Sequence, residues 1–477
     1  MRKWLSAGLL LLGFAANAQN NSLSISGCGT VTTPEEMQRV AENLNRSPKL
    51  KTTTGLDSIP LSIHIVGDNN GAGYYRRDYL FTVLCQLNTH YAPIGFYFYI
   101  KGPITYINNS NYYVHDFWNG QAMMNQYNIG GTVNVYFVSD PAGNCGYFAP
   151  SADGLAIAKS CANPNSTTLV HELGHYFGLP HTFSGWENGA TPSNPEKVTR
   201  GAGANCSTTG DLFCDTDADY LGNRWNCPYT GNKLDVTGTA YHPDSSLYMC
   251  YSDDACMTRF SAQQKNQMIN VLHNNRSYLL TGNPTGLSTL SPTSLVYPGG
   301  TLFSNKKIIR WNKVQGADFY YVKIGIQIGS LIKQDTVTAD TVMAVTFPMV
   351  DGGLYRVTVY PMSSINVCMS QFTKEDFMYS NATTTSVDDV NGYAGTVSVF
   401  PNPADNAATV KITAASAGTY NVVLTSINGQ KAYEQNLTVR SADEQLSIPT
   451  ASLPSGMYMV KVTGNSGNWT EKLMIQH

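Results

Sequence analysis

Residues 171–181 read HELGHYFGLPH, which puts three histidines and a glutamate into one eleven-residue stretch. His171 and His175 are four apart, so on a helix both imidazoles leave the same face one turn apart. Gly178 permits the left-handed conformation that ends a helix and reverses the chain. That reversal brings His181 back toward the first two. The stretch therefore demands a helix, an abrupt turn and a point where three imidazoles meet. Zinc takes such nitrogens at ~2.0–2.1 Å, and three protein ligands instead of four leave one coordination position open. Glu172, one position on from His171, faces that open position, where a carboxylate can take a proton from water that a metal has acidified. Two histidines at this spacing alone would suit an ordinary surface or core helix. Glu172, Gly178 and His181 in register decide for zinc. Thr167 or Thr168 is expected to cap the helix.

The chain has 477 residues, too many for one core, so three or more domains are expected. A net charge of −3 gives no electrostatic case for nucleic acid or an anionic membrane as partner. The first nineteen residues, MRKWLSAGLLLLGFAANAQ, combine Arg2 and Lys3, an apolar run and Ala16-Asn17-Ala18. They predict a signal peptide over residues 1–18, because the run is too short to span a bilayer. No later stretch has spanning length, so a soluble, exported protein is expected. Ten cysteines in an exported chain favour disulfides. Cys28 and Cys368 stand apart, while eight cysteines from Cys85 to Cys256 form an even set for one oxidised domain. Pairing of Cys28 with Cys85 or Cys368 stays open.

Residues 19–55 are polar, with one short helical pattern at PEEMQRVAENLN, and nothing there is expected to form a core. IPLSIHIVG (59–67) predicts an alternating strand. RRDYLFTVLCQLNTHY predicts a helix with Leu80, Val83, Leu84 and Leu87 on one face. GFYFYI, GTVNVYFVSD and GLAIAKS predict strands. An irregular Gly-, Asn- and Cys-rich region follows the histidines to about residue 247. FSAQQKNQMINVLHNNRSYLL then predicts a closing helix, with Ser261 and Gln264 as a capping box. From about 285 short strands and turns predict a β-sandwich. The Trp311, Tyr321 and Tyr355 pattern there resembles a fibronectin type III module. Residues 381–395 predict a linker, and 396–477 a second small β-sandwich.

The pattern H-E-x-x-H-x-x-G-x-x-H resembles the metzincin metallopeptidases. SLYMCYSDDACMTRFSAQQ and GDLFCDTDAD bring the resemblance closer to the pappalysins, the ulilysin-like family, over residues 28–280. Asp217 departs from that family's pattern, which has proline there. The resemblance implies that Met249 forms a methionine turn below the metal and that Tyr251 donates a hydrogen bond to the developing oxyanion. It also implies that Cys227 and Cys256 pair, and that Asp254 sits at the base of the pocket for the residue after the scissile bond, with Asp253 as a rival. Cys145 and Cys161 are candidates for a bridge at the cleft rim. Asp211, Asp215, Asp217 and Asp219 are candidates for calcium ligands, or for a solvated acidic loop. SISGCGTVT resembles the Cys-Gly-Thr element of pappalysin propeptides, which implies Cys28 as a zinc ligand in a latent form. Pro401-Asn402-Pro403, Asn428-Gly429-Gln430, Gly456-Met457-Tyr458 and Lys472-Leu473 resemble type IX secretion sorting domains.

The expected fold is multidomain: an α+β metzincin-like domain (twisted sheet, active-site helix, irregular lower subdomain) over residues 56–283, then two small β-sandwiches over 285–380 and 396–477. Residues 19–55 would be a propeptide. The expected activity is a secreted or surface-attached zinc endopeptidase acting on protein or peptide substrates, exported by the type IX machinery. Cleavage is expected on the amino side of Arg or Lys, with self-processing before Arg46, Lys49 or Lys51. The competing reading is a surface adhesin with a vestigial metal site, which would have no need of Glu172.

Overall fold

The computed structural model describes residues 27–46, 56–187, 189–280, 290–328, 331–383, 396–413, 417–426, 430–439, 443–464 and 467–477. The expected signal peptide, Lys49, Lys51 and Asn428-Gly429 lie outside the described residues. The chain divides into two compact units, residues 1–289 with 363–369, and residues 290–362 with 370–477.

The first unit is built on one sheet. Its strands are β1 (Asp57–Gly67), β2 (Phe96–Ile100), β3 (Thr105–Asn108), β4 (Val133–Val138), β5 (Gly146–Ala149) and β6 (Gly154–Ala158). Their order is β2-β1-β4-β6-β5, with β3 pairing the far end of β1. All pairings are parallel except β5 against β6, which leaves β5 as an antiparallel edge strand. The alternation expected for β1 is not what its burial shows. Ser62 and His64 are buried alongside Ile59, Leu61, Ile63 and Ile65, because a central parallel strand is covered on both faces.

Five helices of this unit bear on the site: α1 (Pro34–Leu44), α2 (Arg77–Tyr91), α3 (Phe117–Tyr127), α4 (Thr168–Tyr176) and α5 (Ala262–Asn274). Leu80, Val83, Leu84 and Leu87 of α2 are all buried, and the α5 capping box of Ser261 and Gln264 is formed. The sequence reading of α1 needs correction. Thr33 and Glu36 close a capping box, Val40 and Asn43 are buried, and Asn270 Nδ2 of α5 donates to the Asn43 carbonyl at 3.2 Å. An isolated helix of this length is marginal, and its apolar side is what docks it. Among the described residues, no helix or strand lies between α4 and α5.

Four disulfides are present: Cys85–Cys368, Cys145–Cys161, Cys206–Cys214 and Cys227–Cys256. The even set of eight is therefore wrong. Cys85 bridges across a separation of 283 residues, which leaves Cys250 as a buried free thiol beside the free Cys28.

In the second unit a five-stranded and a three-stranded sheet share one core around Trp311, Tyr320, Val357 and Phe377. Further along the chain, a three-stranded and a four-stranded sheet share another core around Val410, Tyr420, Val460 and Leu473. Among the described residues no helix is long and apolar enough to cross a membrane.

Candidate metal centre and its cleft

Helix α4 carries His171 and His175 on one buried face, and Gly178 turns the chain at φ +81° so that His181 meets them. His175 Nε2 lies 3.2 Å from the Nε2 atoms of both His171 and His181. The contact between His171 and His175 is not a hydrogen bond. His171 Nδ1 is 2.6 Å from the Tyr248 carbonyl and His175 Nδ1 is 2.7 Å from the Leu179 carbonyl. Each Nδ1 must therefore carry the proton, which leaves both Nε2 atoms as lone pairs pointing at one another. Burial lowers the proton affinity of His171 to about 4 and that of His175 and His181 well below the usual range, so protonation does not relieve the repulsion. A cation between them does. Tetrahedral zinc would hold its nitrogens about 3.3 Å apart, close to the spacing found. The donor set fits the ion, and the two carbonyls, by accepting the Nδ1 protons, fix the orientation of both rings toward it.

Met249 is fully buried beneath this point. A Cβ on Gly174 would overlap its sulfur, so the glycine of HELGH is what lets the methionine lie against the helix. His181 stacks on Phe183 with ring centroids 4.5 Å apart. Its Nδ1 is 3.7 Å from Glu187 Oε1.

Residues 27–30 run parallel to the edge strand β5 and meet it through one bridge, Cys28 to Gly146. Gly29 N–H donates to the Gly146 carbonyl and Cys145 N–H to the Gly27 carbonyl, each at 2.8 Å. That register brings Cys28 Sγ to the three histidines, with all four ligand atoms within 4.8 Å of one another. Cys28 is not in a disulfide. Its thiol donates to Glu172 Oε2 at 3.4 Å and accepts the Thr30 N–H at 3.2 Å. Burial, and then the Glu172 carboxylate, push this thiol well above its ordinary pKa. Only a cation would make it a thiolate.

Glu172 is 1% exposed. Burial pushes its carboxyl up to about 8, against hydrogen bonds from Cys28, Thr30 and the Phe148 amide that favour the ionised form. Gly146 of β5 is needed here, because a Cβ there would sit 2.9 Å from Glu172 Cγ. Tyr251 Oη accepts the Cys28 N–H at 2.8 Å and donates to the Cys28 carbonyl at 3.1 Å. Burial raises its pKa far above the ordinary phenol value, so it remains a donor.

A cavity of about 270 Å³ opens beside the metal point, with Asp254, Thr167, Met257 and Arg224 in its lining. Thr167 corrects the expected cap: it makes no side-chain cap bond, and its hydroxyl donates to Asp254 Oδ1 at 3.0 Å. Asp253 faces elsewhere, accepting the Cys227 N–H at 3.3 Å. The Cys227–Cys256 bridge staples this segment.

The acidic candidates for calcium do not gather. Asp211 is buried and accepts the Phe213 N–H at 2.9 Å and the Thr216 hydroxyl at 3.0 Å. Asp215 accepts the Ser261 hydroxyl and the Gln263 N–H, both at 2.8 Å, at the start of α5. Asp219 accepts the Thr182 hydroxyl at 2.7 Å, and Asp217 is exposed. Among the described residues, Cys28 with the three histidines is the one such group of three or more potential metal ligands. The sequence reading missed Thr30, Gly146, Gly174 and Arg224. Gly174 was visible as the small residue between the two helical histidines; the others offered no signal.

Residues 151–273 match Peptidase_M43, described as pregnancy-associated plasma protein-A. Residues 398–476 match Por_Secre_tail, the secretion system C-terminal sorting domain. An extracellular metalloprotease of Pyricularia oryzae is 30% identical over 233 residues, which cover 44% of this chain and 73% of that protein. One from Sordaria macrospora is 27% identical over 279 residues, covering 52% and 89%. Extracellular metalloprotease 1 of Coccidioides posadasii is 28% identical over 265 residues, covering 50% and 87%. The sorting domain marks the chain for secretion or attachment at the cell surface. The chain belongs to the Peptidase_M43, or pappalysin, family and is an extracellular metalloprotease.

Proposed function

We propose that the chain is a zinc endopeptidase held latent by its own N-terminal segment, and that it cuts on the amino side of arginine and, less well, lysine. Its parts would be a signal peptide (1–18), a propeptide (19–55), the peptidase (56–283), a fibronectin type III-like module (285–380), a linker (381–395) and the sorting domain (396–477). The convergence of three buried Nε2 atoms beside the Glu172 carboxylate supports this reading most directly.

His171, His175 and His181 would hold the zinc, which when bound would supply a Lewis acid for the scissile carbonyl and acidify water. Glu172 takes the proton of the attacking water and passes it to the leaving amine. Tyr251 exchanges its bonds to Cys28 for one to the developing oxyanion. Met249 supports the ring of histidines from below. In the latent chain Cys28 would be a further ligand to the zinc, and residues 27–30 would cover the edge strand that otherwise pairs with substrate. Self-cleavage before Arg46, Lys49 or Lys51 would release them.

Asp254 gives the cavity its preference. A partly buried carboxylate favours a guanidinium, which can bind it bidentately, over an ammonium. Cleavage of a mixed peptide library, with and without a chelator, tests the whole reading. Activity should vanish with metal removal, return with zinc, and fall before Arg above Lys. Activity that survives complete metal removal would refute the mechanism, and large apolar residues dominating after the scissile bond would refute the pocket.

A further inference from the structure

The Asp254 carboxylate already has a guanidinium beside it. Arg224 Nη1 lies 3.4 Å from Asp254 Oδ1, the oxygen that also accepts the Thr167 hydroxyl. The backbone around Arg224 is tied to the segment that carries Asp254. Trp225 N–H donates to the Tyr251 carbonyl at 3.0 Å, Cys227 N–H donates to Asp253 Oδ2 at 3.3 Å, and Cys227 is bonded to Cys256. The main chain of this loop is thus held in place, while the side chain of Arg224 is 46% exposed and has room to swing. Arg224 also borders the adjoining cavity, whose lining includes Glu187. A displaced guanidinium would therefore move toward a second carboxylate.

We propose that Arg224 is a built-in competitor for the Asp254 carboxylate and sets how strongly the cavity selects arginine over lysine. This rests on the reading of Asp254 as the group that meets the residue after the scissile bond. With Arg224 in place the cavity is close to neutral, so an incoming cation gains only by displacing it. An arginine that engages both carboxylate oxygens can displace a single 3.4 Å contact. A lysine brings one compact ammonium and makes the poorer exchange. Arg224 thereby costs both substrates affinity and costs lysine more. It is a positioning residue that acts through Asp254.

The test is steady-state kinetics of the active, metal-loaded enzyme on three peptides that differ only after the scissile bond: Arg, Lys or Leu. Exposed pairs of this kind are weak, so Arg224→Ala should lower KM about threefold for the Arg peptide and more for Lys. The Leu peptide should bind no better, and the gain should appear in KM and not in kcat. Arg224→Lys should fall between parent and alanine variant. In an Asp254→Asn background the effect of Arg224→Ala should disappear. Unchanged KM for the basic peptides, or an equal shift for all three, would overturn the proposal. If Asp254→Asn removes the basic preference while Arg224→Ala is silent, the pocket reading stands and the competitor falls. If the parent shows no basic preference and neither variant changes anything, the pocket reading itself fails. A parent without preference that gains one in Arg224→Ala would support the competitor.

Discussion

Thr30 donates its hydroxyl hydrogen to Glu172 Oε2 at 3.2 Å and accepts the Phe148 N–H on the same hydroxyl at 2.9 Å. One side chain of the N-terminal segment therefore engages both the buried carboxyl and a backbone donor of the edge strand. Cys28 two residues earlier reaches the same Glu172 oxygen and the three histidines.

Thr30→Val keeps the branched shape and removes the hydroxyl. A hydrogen bond of this kind contributes roughly 1–3 kcal/mol, so the initial peptidase rate of freshly purified, unprocessed chain should rise about tenfold. A rate equal to that of the parent would show that Cys28 alone sustains latency.

Gly174→Ala tests the support beneath the histidines. Alanine gains about 1 kcal/mol in helix propensity, but overpacking against Met249 costs typically about 1–3 kcal/mol. The net change should lower the melting temperature and speed zinc loss to a competing chelator. A variant with a higher melting temperature and full zinc retention would contradict the packing argument.

Non-reducing peptide mapping of the alkylated full-length chain should find label on Cys28 and Cys250 only, with the Cys85–Cys368 peptide pair intact. Cys28 recovered in a disulfide would remove it as a zinc ligand.

Asp254→Asn keeps the size and the Thr167 hydrogen bond but loses the charge. Charge-assisted bonds contribute about 1.5–3 kcal/mol, so kcat/KM for a peptide with Arg after the scissile bond should fall roughly ten- to a hundredfold. A matched Leu peptide should change little, and equal loss on both would point to a structural role.

The metal point was legible in the sequence because its geometry is local. The spacing of His171 and His175 and the glycine at 178 fix the site within eleven residues. What the sequence could not show are contacts made across the chain. Thr30 meets Glu172 from 142 residues away. Cys85 and Cys368 are 283 apart. Gly146 matters only because the edge strand passes over Glu172, and the Thr167 hydroxyl chose Asp254 over its own helix end. β1 was expected to alternate and does not, since its burial depends on layers that periodicity cannot see. Calcium was suggested by the crowding of Asp211, Asp215, Asp217 and Asp219, whereas three of those side chains accept hydrogen bonds from their own chain.

The most direct test of the account is Glu172→Ala, assayed for zinc content and peptide hydrolysis on the same preparation. The three histidines are untouched, so one zinc per chain should remain, while activity should fall by at least about a thousandfold, as loss of the proton-transferring group requires. Zinc-loaded Glu172→Ala that turns over peptide at a rate comparable to the parent would contradict it.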